Sequence, residues 1–596
     1  MNILLTAINA KYIHSNLAVY SLRACAGEYR DAVELAEYTI NNQKDYILEE
    51  LYKRRPDVLC FSCYIWNIDY VTDIAREYKK LCPSVPIWVG GPEVSYEVEA
   101  FLRENPYIDG VMIGEGEDTF RELCGYYAHK RKLSDIAGIA FRKKSADGKA
   151  GEIVFTSPRP IKNMSEIPFC YDTLDDFSNR IIYYESSRGC PFSCSYCLSS
   201  VDKTLRFRDT EIVKRELKFF IDQKVPQIKF VDRTFNCNHA HAMELWRFIK
   251  ANDNGVTNFH FEISADLLNQ EELELISDMR PGLIQLEIGV QSTNEVTIKE
   301  IHRTMKLERL KEVVRLIQSG NNIHEHLDLI AGLPYEDYDS FGRSFDEIYE
   351  LKPNQLQLGF LKVLKGSYMF EHATEYGIVY HDKPPYEVMS TKWLSFDDVI
   401  KIKRVEEMLE VYYNSGQFEI TMKLMECIFD SAFEFFQELG DFYEANGYFG
   451  MSHSRIRRCE ILLEFLALYL HGCDSDDMAS VGLSGNAGDR DNTDFDENAQ
   501  IYKMIQESLI FDLDYRENCK SRPVWATDIG SFKHMTHAYC KNGKLSHVEP
   551  FHYIFPDKHT RKLDELPKYH KEPVWALFHY DMRDPLDHQA LVEYVE

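Results

Sequence analysis

Over the first 140 residues, short apolar runs alternate with stretches of helical spacing. Ile3–Ile8, Asp57–Ser62, Pro86–Gly90 and Ile108–Ile113 read as strands, and Ile68–Leu81 reads as a helix between two of them. This βαβα alternation predicts a parallel sheet covered on both faces, a design that binds ligands at the C-terminal ends of its strands. Lys143–Pro160, rich in Lys, Gly, Ser and Pro, reads as a hairpin or surface loop. The alternation resumes with strand candidates at Ile181–Glu185, Gln227–Val231, Asn258–Ile263, Leu283–Ile288, His324–Ile330 and Asn354–Leu361. Strands separated by helices in this way predict a partial (βα)6 barrel whose site faces the loops after the strands. From about residue 376 the period changes. Ser395–Leu439 is helical, Cys473–Asn498 is rich in Asp, Gly, Ser and Asn and is predicted to be disordered, and His552–Phe555 and Val574–Phe578 read as short aromatic strands. The expected α/β architecture has domains at 1–140, 180–375 and 376–596, with a linker at 141–179 and a mostly helical α+β C-terminus.

Composition narrows the function classes. A formal net charge of -28 lowers the expectation of a nucleic-acid or anionic-membrane partner. The first residues, MNILLTAINAKYIHS, lack the basic and apolar regions of a secretory signal, and no run approaches the ~20 apolar residues of a membrane span. The expected location is the cytoplasm, where clustered cysteines among the 15 present point to metal or redox chemistry rather than disulfides.

One cluster stands out. Arg188-Gly-Cys190-Pro-Phe-Ser-Cys194-Ser-Tyr-Cys197 follows directly on a predicted strand. Three thiolates are one too few for a closed structural zinc site, whereas three on a four-iron cluster leave one iron open. Spacing alone also fits zinc completed by a distant His or Cys, or reduced structural thiols.

The motif resembles the signature of the radical S-adenosylmethionine (SAM) superfamily, CxxxCxΦC, with Tyr196 as the aromatic and Arg188-Gly189 as the usual lead-in. The resemblance covers about 180–365. It implies a [4Fe–4S] cluster on Cys190, Cys194 and Cys197, with SAM chelating the open iron and yielding a 5′-deoxyadenosyl radical. Phe230–Phe235 with Asp232, Phe261–Asp266 with Glu262, Gln285–Ser292 with Glu287, and Asp328–Pro334 are similar to later strand ends of that family. By resemblance Tyr196, Asp232, Glu262, Asp266, Glu287, Gln291 and Ser292 are the SAM contacts. Acidic and amide groups can accept hydrogen bonds from ribose hydroxyls and an ammonium, although Glu262, Asp266 and Glu287 equally suit caps or ion pairs. His302 and Arg303 read as surface residues.

Residues 1–140 resemble the flavodoxin-like cobalamin-binding domain that precedes many radical SAM cores. Ser62 ends one strand, Gly90-Gly91 ends the next, and Gly114-Glu115-Gly116-Glu117 opens a helix after the following one. By resemblance Ser62, Gly90, Gly91, Gly114, Glu115 and Gly116 contact cobalamin. His14 occupies the place of the lower axial ligand in Asp-x-His-x-x-Gly domains, but Tyr12 and Leu17 replace the Asp and Gly. Without the carboxylate that orients the imidazole, His14 is expected to line the corrin face rather than ligate cobalt.

This pairing of domains resembles a group dominated by methyl transfer to unreactive carbon or phosphorus, which also contains oxidative cyclisations and rearrangements. The resemblance implies a small-molecule or peptide substrate and a reductant such as flavodoxin or ferredoxin. A cofactor-binding sensor without catalysis is the non-enzyme alternative. The C-terminal histidines, including His547, His552, His559 and His579, read as surface or core residues.

Overall fold

The computed structural model describes residues 1–143, 151–471, 497–519, 521–540, 545–556, 560, 562–563 and 565–595. It divides into two compact units. The first comprises Met1–Ile317, Gly332–Glu336 and Gly359–Ser395, and the second Gln318–Ala331, Asp337–Leu358 and Phe396–Glu596.

The first unit opens with a seven-stranded sheet in the order β2-β1-β3-β4-β5-β6-β7. Its strands are β1 (Ile3–Asn9), β2 (Val33–Thr39), β3 (Val58–Ser62), β4 (Ile87–Gly90), β5 (Gly110–Met112), β6 (Ile139–Arg142) and β7 (Ile153–Phe155). Strands β1 to β5 run parallel in the flavodoxin-like 2-1-3-4-5 order. The antiparallel pair β6–β7 adds the hairpin expected in Lys143–Pro160, whose residues 144–150 lie outside the described set. Alternate residues of the strands fill two cores, one centred on Leu4, Phe61 and Val89 and the other on Leu5, Cys60 and Trp88. The helix Ile68–Leu81 forms where its spacing predicts and buries Val71, Ile74, Ala75 and Tyr78.

A second sheet in this unit holds the parallel strands β8 (Ile182–Tyr184), β11 (Gln227–Phe230), β12 (Asn258–Ile263) and β13 (Ile284–Gln291). The two-residue strands β9 (Ser187–Arg188) and β10 (Arg206–Phe207) form a hairpin across the cysteine loop. Along β13 burial alternates strictly, with Leu286, Ile288 and Val290 buried and Glu287, Gly289 and Gln291 only half-buried. A parallel strand covered by packed helices on both faces would be apolar throughout, so one face of this sheet fronts an open, polar lumen.

The second unit contains β14 (His324–Ala331) and most of β15 (Gln355–Phe360). The first unit resumes with the small pair β16 (Val379–Tyr380) and β17 (Val388–Ser390). Helix Tyr338–Tyr349 belongs to the second unit because its aromatic face packs on helix Ala432–Ala445. The ring centroids of Phe345 and Phe433 are 5.5 Å apart, and a Cβ on Gly342 would meet Phe433 Cδ1 at 2.8 Å. The two compact units therefore interleave along the chain.

Helices Phe396–Leu409, Glu419–Met425, Ala432–Ala445, Arg455–His471 and Glu497–Arg516 bear out the mostly helical C-terminus. Residues 472–496 of the segment expected to be disordered lie outside the described residues, and Glu497–Asn498 already belong to a helix. A sheet of β18 (Ser546–Phe551), β19 (Val574–Arg583) and β20 (Ala590–Val595) completes the unit. The strand expected at His552–Phe555 is displaced to Ser546–Phe551, because that segment pairs with the long β19. No helix among the described residues is long and apolar enough to cross a membrane.

Candidate active site

The cysteine loop is held from several sides within the first unit. Gly189 turns at φ 91°, and a Cβ there would meet Thr204 O at 2.6 Å, so the β9–β10 hairpin requires glycine. Cys190 N donates to Asp202 O at 3.1 Å, Ser195 N to Ile301 O at 2.9 Å and Met369 N to Ser195 O at 2.9 Å. Cys190 is buried and its Sγ lies 3.9 Å from Thr234 Oγ1. The Arg303 guanidinium reaches over the loop: Nη1 lies 3.8 Å from Cys194 Sγ and 3.3 Å from Tyr196 Oη, and Nη2 donates to Gly289 O. Arg303 is thus not the surface residue expected. It follows a short helix, Glu295–Glu300, and the chain turns back at His302 with φ 55°.

The SAM-contact residues expected from resemblance separate into two sets. Asp232 is fully buried, and its carboxylate accepts from Ser186 N at 2.9 Å, Ser186 Oγ at 2.6 Å and Ser187 Oγ at 2.6 Å. Burial pushes its carboxyl up to about 6, against these three donors. Asp232 therefore pins the strand that leads into the cysteines. Asp266 accepts from Ser264 Oγ at 2.8 Å and Lys306 N at 3.0 Å, which is a loop-fixing role. Ser292 is buried and donates to Glu336 Oε1 at 2.7 Å.

The other set fronts the lumen. Glu287 accepts from Lys229 Nζ at 2.8 Å and faces His260 Nε2 at 3.0 Å. Burial opposes its charge, but the His260 hydrogen bond and the Lys229 ammonium hold its carboxyl well below the usual range, at about 2. Glu262 pairs with Glu287 in the β12–β13 register. Gln291 turns at φ 77°, and its Nε2 lies where a Cβ on Gly289 would sit, 2.3 Å away, so Gly289 makes room for Gln291 and Arg303 together. Tyr196 stacks its hydroxyl end toward Arg303.

A cavity of about 750 Å³ lies where the strand ends of the first sheet meet β8. His14, Ser62, Gly90, Gly91, Gly114, Glu115 and Gly116 all line it, together with Tyr64, Trp66, Tyr183, Glu185, Arg188 and Arg233. Gly91 has φ 123°, and a Cβ there would come within 2.3 Å of Cys63 O. A Cβ on Gly90 would meet Met112 Cβ at 3.3 Å, and one on Gly116 would meet Leu22 Cδ2 at 2.9 Å. The Ser62 hydroxyl is held by Asn16 Nδ2 at 3.4 Å. His14 Nδ1 lies 2.7 Å from the Tyr183 hydroxyl, and burial, followed by the charges of Lys11 and Lys229, lowers its pKa. The Tyr183 hydroxyl is thus the partner of the His14 imidazole.

Glu115 faces Arg206 and accepts from Lys162 N at 3.1 Å, while Arg188 donates to Glu117 at 2.7 Å and to Glu185 at 2.8 and 2.9 Å. The glycine-and-glutamate loop of the first sheet therefore grips the residue two places before Cys190. Sequence reasoning did not single out Tyr64 and Trp66, whose rings stack at 4.4 Å and 6°. Two aromatics just past a strand end were the available signal.

Three family models match the chain: B12 binding domain over residues 3–124, Radical SAM superfamily over 184–348, and Protein of unknown function (DUF4080) over 374–589. The chain carries a B12-binding domain followed by a radical SAM domain. It is 27% identical over 350 residues to the cobalamin-dependent radical SAM methyltransferase TokK of Streptomyces tokunonensis, covering 55% of this chain and 49% of that one. It is 27% identical over 314 residues to the 2-(S-pantetheinyl)-carbapenam-3-carboxylate methyltransferase of Streptantibioticus cattleyicolor, covering 50% and 45%. It thus spans about half the length of these relatives. Among solved structures, the cobalamin-dependent SAM radical enzyme OxsB with aqua-cobalamin and SAM bound aligns with a TM-score of 0.54 at 16% identity, over 86% of this chain and 80% of that one. At that identity the agreement is one of fold.

The residues fit the groups these domains imply. Cys190, Cys194 and Cys197 stand on one loop with the Arg303 guanidinium beside Cys194, a thiolate set that suits an iron–sulfur cluster. The Gly91 cradle, closed to any side chain by Cys63 O, matches a backbone that a cofactor tail passes closely.

Proposed function

We propose that the chain is a cobalamin-dependent radical SAM methyltransferase that methylates an unactivated carbon. When bound, the cluster and SAM supply a 5′-deoxyadenosyl radical and cobalamin supplies the methyl group. The observation that carries this reading is the shared cavity, into which both the strand-end residues of the B12-binding domain and Glu185 and Arg188 of the radical SAM core open.

Each part of the protein has a task in this reading. Cys190, Cys194 and Cys197 hold the cluster, and Arg303 offsets thiolate charge at Cys194. Gly90, Gly91, Gly114 and Gly116 let backbone lie close to the cobalamin tail. Glu287 stays ionised between Lys229 and His260 and gives the lumen a fixed negative acceptor for hydroxyl or ammonium groups. Glu262 and Gln291 flank it on the same lumen-facing strands. Relatives such as TokK and the carbapenam methyltransferase support methyl transfer, and relatives named as magnesium-protoporphyrin IX monomethyl ester cyclases make oxidative cyclisation the second reading. The test is anaerobic reconstitution with iron, sulfide and hydroxocobalamin, followed by assay for 5′-deoxyadenosine with SAM and a low-potential reductant. Production of 5′-deoxyadenosine by the wild type and none by a Cys190→Ala variant is the expected result. Equal amounts from both would overturn the reading.

A further inference from the structure

Asp514, His547 and Glu549 of the second unit bring one carboxylate oxygen, one imidazole nitrogen and another carboxylate oxygen within 4.8 Å of one another. Asp514 ends the helix Glu497–Arg516, and His547 and Glu549 stand two apart on β18 and so share a face. His547 Nε2 lies 2.9 Å from Glu549 Oε2 and 3.5 Å from Asp514 Oδ2. The two carboxylates are almost completely buried, with side chains 5% and 2% exposed.

A proton on Nε2 does not satisfy this arrangement. The nitrogen has one hydrogen to give, and Glu549 is the nearer acceptor. Glu549 is already forked by Arg522, at 3.0 and 2.5 Å. Among the described residues the closest cationic partner of the Asp514 carboxylate is His547, at 3.5 Å. A carboxylate this deeply buried needs a donor or a cation beside it. An ion coordinated at about 2.0–2.2 Å holds neighbouring N and O ligands roughly 3.0–3.5 Å apart, and the separations found from Nε2 fall in or beside that range.

We propose that Asp514, His547 and Glu549 bind one divalent ion of the zinc type. Imidazole and carboxylate donors suit such ions, and zinc accepts one histidine with carboxylate oxygens. Arg522 then acts on the site through Glu549, fixing its carboxylate as outer partners of metal ligands do. Tyr580 fixes the helix end by donating to Asp514 O at 2.9 Å. The ion would join the end of the helix to β18, and three protein ligands leave one tetrahedral position open to water or another small ligand.

The experiment uses the full chain with its cluster reconstituted, dialysed against chelator and then against Zn2+. Zinc per chain is measured by mass spectrometry, and its surroundings by zinc-edge X-ray absorption. One zinc per chain is expected, with only N and O neighbours at about 2.0–2.2 Å and no sulfur at about 2.3 Å. Asp514→Asn and His547→Gln are each expected to lower zinc content at least tenfold while iron per chain is unchanged. Absence of zinc, a sulfur-bearing zinc shell, or full zinc content in both variants would each overturn the site. Because iron is counted in the same samples, failure of this site is distinguishable from failure of the cluster assignment.

Discussion

The Arg188 guanidinium donates to the Glu117 carboxylate across 2.7 Å, joining the helix that opens after β5 to the residue two places before Cys190. Both groups are largely withdrawn from solvent, with side chains 22% and 7% exposed. Removing one member of a buried pair leaves an uncompensated charge and costs about 3–5 kcal/mol, less here because Glu185 also holds Arg188. Arg188→Gln should therefore lower the melting temperature and reduce iron retained per chain after desalting. Glu117→Gln should do the same more mildly. Unchanged iron content in both would remove the clamp from the account.

Gly91→Ala should destabilise the protein and abolish corrin retention. The new Cβ would stand 2.3 Å from Cys63 O at a backbone φ of 123°. Strain of this kind costs on the order of 1–3 kcal/mol, before the clash is counted. Thermal melting of the apoprotein and corrin absorbance after gel filtration report the two effects separately.

Arg303→Gln removes the cationic donor 3.8 Å from Cys194 Sγ. Positive charge and hydrogen bonds at cluster sulfurs raise the reduction potential. The variant's cluster is expected to have a more negative midpoint potential in a spectroscopic redox titration. An unchanged or more positive value would mean that the guanidinium does not act on the cluster.

Burial pushes the His241 imidazole down to about 4 from its ordinary 6.5. Between these values the unfolded chain binds a proton that the folded chain does not, so stability is present above 6.5 and is lost as pH falls toward 4. The loss is on the order of 2–3 kcal/mol. Asp232, raised to about 6, has the opposite sign and loses stability as pH rises from about 4 to 6. In His241→Gln the melting temperature should fall less steeply than in wild type between pH 6.5 and 4.5. Parallel curves would show that His241 is not buried neutral.

The parts of the fold that were legible in the sequence share one property, which is that burial alone decided them. Asn258–Ile263 and Ile68–Leu81 form where their apolar spacing puts them. Strand β2, Val33–Thr39, was not legible because Glu34 and Glu37 interrupt it. Its Glu37 is a working residue, accepting from Asn9 Nδ2 at 2.9 Å and Arg180 Nη1 at 2.7 Å. At the site, the cysteine motif and the paired glycines stood out in the sequence, and resemblance implied their roles. The division between Glu287, which faces the lumen, and Asp232 and Asp266, whose carboxylates serve the protein's own loops, was not. All three are acids at strand ends, and only the partners brought by distant segments separate them. Arg303 was hidden for the same reason, since its partners Cys194 and Tyr196 lie more than a hundred residues away.

The reading that the chain holds a cluster and a corrin on separate residues is tested by the ultraviolet–visible spectrum of the anaerobically reconstituted protein beside its Cys190→Ala/Cys194→Ala/Cys197→Ala variant. The account predicts iron–sulfur and corrin absorption together in the wild type, and corrin absorption alone in the variant. Iron–sulfur absorption surviving in the variant, or no corrin retained by either protein, would contradict it.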